Sequence, residues 1–97
     1  MENNQIDQCF ELANRERNRG HHIVDRAMLY ELIINHIVNQ GNGQCHLTNQ
    51  ELSESIGFLS ISRIAVFINE LVADGWLKHE ITAAGDRVLS LVPVGRA

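Results

Sequence analysis

Ile61, Ile64, Ile68 and Leu71 recur at spacings of three and four, which predicts a helix with one buried stripe. Ser60 stands just before it as a candidate N-cap, and Gly75 stops it. Upstream, Thr48 precedes a shorter run with Leu52 and Ile56 on one face, and Glu51 follows three residues later. Thr-x-x-Glu is a capping box, in which hydroxyl and carboxylate each satisfy a free backbone N–H. Gly57 suits a left-handed stop for this helix. Phe58 and Leu59 form the turn between the two helices and are expected to plug the core.

From Trp76 the period becomes two. Trp76, Lys78 and Glu80 alternate with Leu77, His79 and Ile81, as in a strand. Ala83–Asp86 reads as a turn whose Gly85 can take positive φ, and Val88–Val92 as the returning strand. Pro93 limits further pairing. Residues 76–92 are thus expected to form a β-hairpin.

The N-terminal half carries two more helical patterns. Ile6, Cys9, Phe10 and Ala13 predict an amphipathic helix over 4–18, with Arg15, Arg17 and Arg19 at its C-terminal end and Gly20 as the stop. Residues 24–39 are apolar around most of a helix: Ala27, Met28, Leu29, Leu32, Ile33, Ile34, Ile37 and Val38. Such a helix needs more than one neighbour. The N-terminal helix or a second copy of the chain must supply the cover, and a homodimer through residues 4–40 is expected. Gly41–Gln44 is a loop, and a short extended segment follows at Gln44–Leu47.

The order of these elements, with the signatures LTNQELSESIG, SISRIAVFINEL and ADGWL, resembles the winged helix-turn-helix superfamily. The likeness covers residues 24–92 and extends to MarR-like regulators and to the winged domains of phage and plasmid replication initiators. It implies a mainly α chain with a small β-hairpin (α+β), divided into an N-terminal helix or arm over 1–22 and a winged domain over 23–97. It also implies that Ser60, Ile61, Ser62, Arg63, Val66 and Asn69 meet double-stranded DNA, with the hairpin tip around Ala84–Arg87 against phosphate or the minor groove. Two departures stand out. The turn GFLS is one residue longer than the commonest spacing, and Val66 and Phe67 stand where polar or basic side chains are more usual.

Charge complicates that expectation. The 97 residues hold twelve acids and eight Lys and Arg, a formal net charge of −4. Between Leu47 and Leu77 the acids are Glu51, Glu54, Glu70 and Asp74, and the only base is Arg63. Affinity for nucleic acid comes largely from cations that displace counterions on phosphate, so the bases must be gathered on one face. Lys78 and Arg87 flank the hairpin turn and are expected to lie near each other. Arg15, Arg17 and Arg19 offer a backbone-contacting arm, or else solvate a helix end with Glu16 as local partner. Arg63 either grips a base or phosphate, or is a solvated helix side chain paired with Glu70 or another acid. Should Val66 and Phe67 both be exposed, they form a protein-binding patch instead.

Other chemistry finds little support. His21, His22, Cys45 and His46 bring imidazole and thiol together, but at no zinc-binding spacing, so no metal is expected. His36 reads as a hydrogen-bonded or surface residue, and Trp76 as core. Phosphate loops and nucleophile elbows are lacking, so neither catalysis nor a cofactor is expected. Cys9 and Cys45 read as free thiols of a cytoplasmic protein. No membrane-length apolar run or secretory leader is visible.

Overall fold

The computed structural model describes residues 3–18 and 21–93, with the side chains of Asn3, His21, His22 and Ile23 outside the description. The elements are α1 (Asn3–Arg17), α2 (His21–Gln40), β1 (Gln44–Cys45), α3 (Asn49–Ile56), α4 (Ile61–Ala73), β2 (Leu77–Ile81) and β3 (Arg87–Leu91). Among the described residues the fold is α+β, four helices with a three-stranded antiparallel sheet.

α2 lies at the centre. Ala27, Leu29, Tyr30, Ile33, Ile34 and Ile37 are all buried, an arc too wide for one neighbour. α1 packs along it and inserts Cys9 and Ala13, while α3, α4 and β1 take other sides. A single chain therefore supplies the cover that had been expected from α1 or a second copy. One core also runs across the boundary expected at residue 22, since Cys9 and Ala13 join the cluster that holds Ile64 and Leu71. Met28 and Val38, expected in this apolar girdle, face solvent.

The helix ends follow their local signals. Thr48 accepts the N–H of Glu51 at 3.1 Å, and the Glu51 carboxylate accepts the N–H of Thr48 at 3.0 Å, a complete capping box. Gly57 closes α3 at φ 85°, its N–H bonding the Ser53 carbonyl at 3.0 Å. Ser60 caps α4 by accepting the N–H of Arg63 at 3.2 Å. At the far end, the N–H of Trp76 reaches the Leu71 carbonyl at 2.9 Å and that of Gly75 reaches Val72 at 3.1 Å. This is a Schellman stop, which requires the positive φ of 83° at Gly75.

Two expectations about α4 and its turn are corrected. The buried stripe is Ile64, Phe67, Ile68 and Leu71, not one beginning at Ile61. Ile61 is 50% exposed and Phe67 only 4%, because the core meets the helix one turn after its cap, where positions 64, 67, 68 and 71 form an unbroken i, i+3, i+4, i+7 face. In the turn, Leu59 plugs the core but Phe58 stays in solvent. The Ser53 hydroxyl donates to the Leu59 carbonyl at 2.5 Å and ties the turn to α3.

The sheet order is β1–β3–β2. Leu77 lies opposite Leu91 and Ile81 opposite Arg87, while Cys45 of β1 lies opposite Leu89. β3 is central and buries Val88 and Leu89. β2 is an edge strand of which only Leu77 is buried. His79 and Ile81, expected to share the face of Leu77, extend past the core into solvent.

Thr48→Ala should lower unfolding free energy by about 1 kcal/mol in urea denaturation, as loss of an N-cap does. The Thr48 backbone and hydroxyl hydrogen bonds lower the Glu51 pKa. Its contribution to stability is thus fully present above the ordinary value of 4.5 and lost as pH falls through the lowered folded value. The stability difference between wild type and Glu51→Gln should shrink from pH 7 towards about pH 3. A difference that stays constant with pH would contradict that assignment.

Candidate nucleic-acid interface

α3 and α4 are bent by 106° across the four residues 57–60. With Ile64, Phe67, Ile68 and Leu71 turned inward, the opposite face of α4 is open. At 3.6 residues per turn, Ser62, Val66, Asn69 and Ala73 form its outermost ridge. Ile61 lies on one flank, and Arg63 and Glu70 lie on the other. All of these side chains are exposed, as is Ser60 at the cap. Ser60, Ile61, Ser62, Arg63, Val66 and Asn69 are therefore brought together around one accessible helix.

Arg63 does not pair with Glu70. Its guanidinium lies over the Phe67 ring, 4.7 Å from the centroid, a contact worth about 0.5–1 kcal/mol at an exposed site. Glu70 instead accepts a hydrogen bond from Arg26 at 2.7 Å. Arg26 also bonds Glu16 of α1, lies 3.5 Å from Asp74, and stands 5.8 Å from the centre of the Trp76 ring. Trp76 in turn meets Tyr30 at 5.1 Å between centroids. Arg26 thus joins α1, α2 and α4. Burial opposes its charge, but hydrogen bonds to Glu16 and Glu70 outweigh that and raise its pKa. Glu16 is 2% exposed, so it is a core carboxylate rather than the solvated neighbour expected for the nearby arginines. Nothing in the local sequence marks Glu16 and Arg26 as partners, because they meet only when α1 folds onto α2.

The hairpin departs further from expectation. Lys78 lies opposite Ser90 and Arg87 opposite Ile81, so the two cations are three pairs apart, roughly 10 Å at the usual strand rise. Lys78 is exposed and pairs with Glu80 at 3.5 Å. Arg87 is turned inward: it bonds the Asn49 side chain and donates to the Leu47 carbonyl at 2.5 Å, clamping β3 to the start of α3. Burial lowers its pKa. The tip itself is closed by hydrogen bonds between Thr82 and Asp86, and its charged residue is the acid Asp86. Arg87 is thus a structural clamp rather than a phosphate contact.

In the N-terminal arm, Arg17 is half-buried and pairs with Glu31, while Arg15 is exposed. Arg19 lies outside the described residues. The patch expected of Val66 with Phe67 reduces to Val66, 46% exposed, since Phe67 is core. His46 bonds Gln44 at 3.2 Å, and His36 is half-buried. Among the described residues no group of three or more His, Cys, Asp or Glu is placed to hold a metal ion. Cys9 and Cys45 are both buried, and burial pushes both thiols up, away from the reactive thiolate. No single helix among the described residues is long and apolar enough to cross a membrane.

No protein-family model matches the chain, nor does any curated protein or solved structure.

Arg26→Met should destabilise the fold by roughly 3–5 kcal/mol in chemical denaturation, because it leaves the buried Glu16 carboxylate without this cation. Pairing it with Glu16→Leu should recover much of the loss. A double variant no more stable than the single one would refute the coupling.

Proposed function

We propose that the chain is a winged helix-turn-helix protein that binds double-stranded DNA as a transcriptional regulator, with α4 as the probe of the major groove. The observation that carries this reading is the geometry of α3 and α4. Two helices bent by 106° across a short glycine-containing turn are the arrangement in which a second helix enters a groove. The antiparallel pair β2–β3, with β2 packed against α4, supports reading the hairpin as the wing. A single copy presents the whole reading helix. A second copy would add a matching half-site, and sedimentation at high micromolar concentration distinguishes the two states.

A second reading, a winged helix that binds protein, is favoured by charge. On α3, α4 and the hairpin, Glu51, Glu54, Glu70, Asp74, Glu80 and Asp86 are exposed, against Arg63 and Lys78. Ile61 and Val66 supply apolar contact area on the same helix.

Salt separates the readings. A DNA complex should weaken with a log–log slope of about −0.9 for each phosphate neutralised. With Arg63 and Lys78 as the exposed bases near α4, the slope should be shallow, near −2 for one copy (roughly two phosphates). Arg63→Ala should remove about one unit of that slope. Fluorescence anisotropy on duplex DNA at salt concentrations from about 50 to about 200 mM reads both numbers. Failure to bind any duplex at the lowest salt would overturn the DNA reading in favour of protein.

A further inference from the structure

The chemistry of α4 is uneven in a way that bears on which base pairs it reads, an inference that rests on the DNA-binding reading above. In the major groove, guanine is gripped by Arg or Lys, and cytosine N4 donates to Glu or Asp. Adenine is read by Asn or Gln through N6 and N7, and the thymine methyl by apolar contact. α4 exposes residues of every kind: Arg63, Glu70, Asn69 and the apolar Val66, with a second apolar side chain, Ile61, on the flank.

The two suited to G·C are engaged within the protein. Arg63 is stacked on the Phe67 ring, and Glu70 is held by Arg26 at 2.7 Å. Both lie on the flank of the helix. The two suited to A·T occupy the outermost ridge. Val66 and Asn69 are three residues apart on the same face, and no described residue bonds the Asn69 amide. Their neighbours on the ridge, Ser62 and Ala73, are short and leave the backbone free to approach the bases closely.

We infer that α4 recognises A·T pairs in the major groove, with the Asn69 amide bidentate to an adenine and the Val66 methyls against the C5-methyl of a nearby thymine. Arg63 and Glu70 then shape the flank and contribute no G·C preference of their own. The polarity of the ridge is mixed, one amide beside one branched apolar side chain, which matches an adenine edge beside a thymine methyl.

The test starts from the full chain and a random-sequence duplex library. Retained sequences should be enriched in A·T pairs at a fixed position. Anisotropy titrations on a retained duplex then compare thymine with uracil at that position, which removes only the C5-methyl group. Wild type should bind the uracil duplex several-fold more weakly. Val66→Ala should bind the thymine duplex more weakly and no longer distinguish the two. Asn69→Ala should lose roughly ten-fold in affinity and its preference for the adjacent adenine. Both side chains are exposed, and circular dichroism checks that both variants keep the fold.

Enrichment of G·C pairs overturns the inference, as does an A·T preference that survives uracil replacement, Val66→Ala and Asn69→Ala alike. The latter result removes both major-groove contacts from the preference and points to minor-groove width. Either outcome leaves DNA binding itself standing. Retention of no duplex at all overturns the DNA reading and this inference with it.

Discussion

α2 presents apolar side chains over an arc that no single neighbour can cover, and the rest of the chain is arranged to cover it. Tyr30, Ile33, Ile34 and Ile37 face the main core, and Leu29 widens the buried arc beyond a simple stripe. Each fully buried side chain of this size is worth about 1.5–3 kcal/mol against exposure. Leaving any sector open would therefore cost as much as a small domain has to spare. α1 is drawn onto α2 for this reason, and α4 is oriented by it. The stripe Ile64–Phe67–Ile68–Leu71 joins the same core, so the ridge Ser62–Val66–Asn69 points to solvent.

Electrostatics then sorts the scarce cations. Arg26 is drawn into the junction of α1, α2 and α4 by Glu16 and Glu70, and Arg87 is drawn under β3 by Asn49 and the Leu47 carbonyl. Arg17 pairs with Glu31. Among the described residues, three of the six Lys and Arg thus hold the elements together. The surface around α4 is left poor in positive charge. A DNA reader built this way relies on fit to base edges more than on phosphate attraction, so its affinity falls less steeply with salt than that of a reader with a basic face. The same poverty of charge keeps a protein-binding role in contention for this face.

Much of the architecture was legible along the chain because its determinants are short-range. Thr48, Glu51, Gly57, Ser60 and Gly75 act within one helical turn of themselves, and each sits at the end it signals. The change from a helical period to a period of two at Trp76 marks the hairpin for the same reason. The candidate site was legible in part. Ser60, Ile61, Ser62, Arg63, Val66 and Asn69 cluster as their helical spacing requires. Lys78 and Arg87 do not meet, since pairing register depends on the whole hairpin and its length.

By itself, then, the sequence determined where helices begin and stop, where the strands turn, and that α4 has one greasy side. Those are properties of neighbours in the chain, set by backbone hydrogen bonds and side-chain period. Only the tertiary structure decided that Phe67 rather than Ile61 completes the buried stripe, that Glu16 is a core carboxylate, and that Arg87 is a clamp. Each depends on residues ten or more positions away, such as Glu16 against Arg26 and Arg87 against Leu47, and such pairing leaves no periodic trace in the chain.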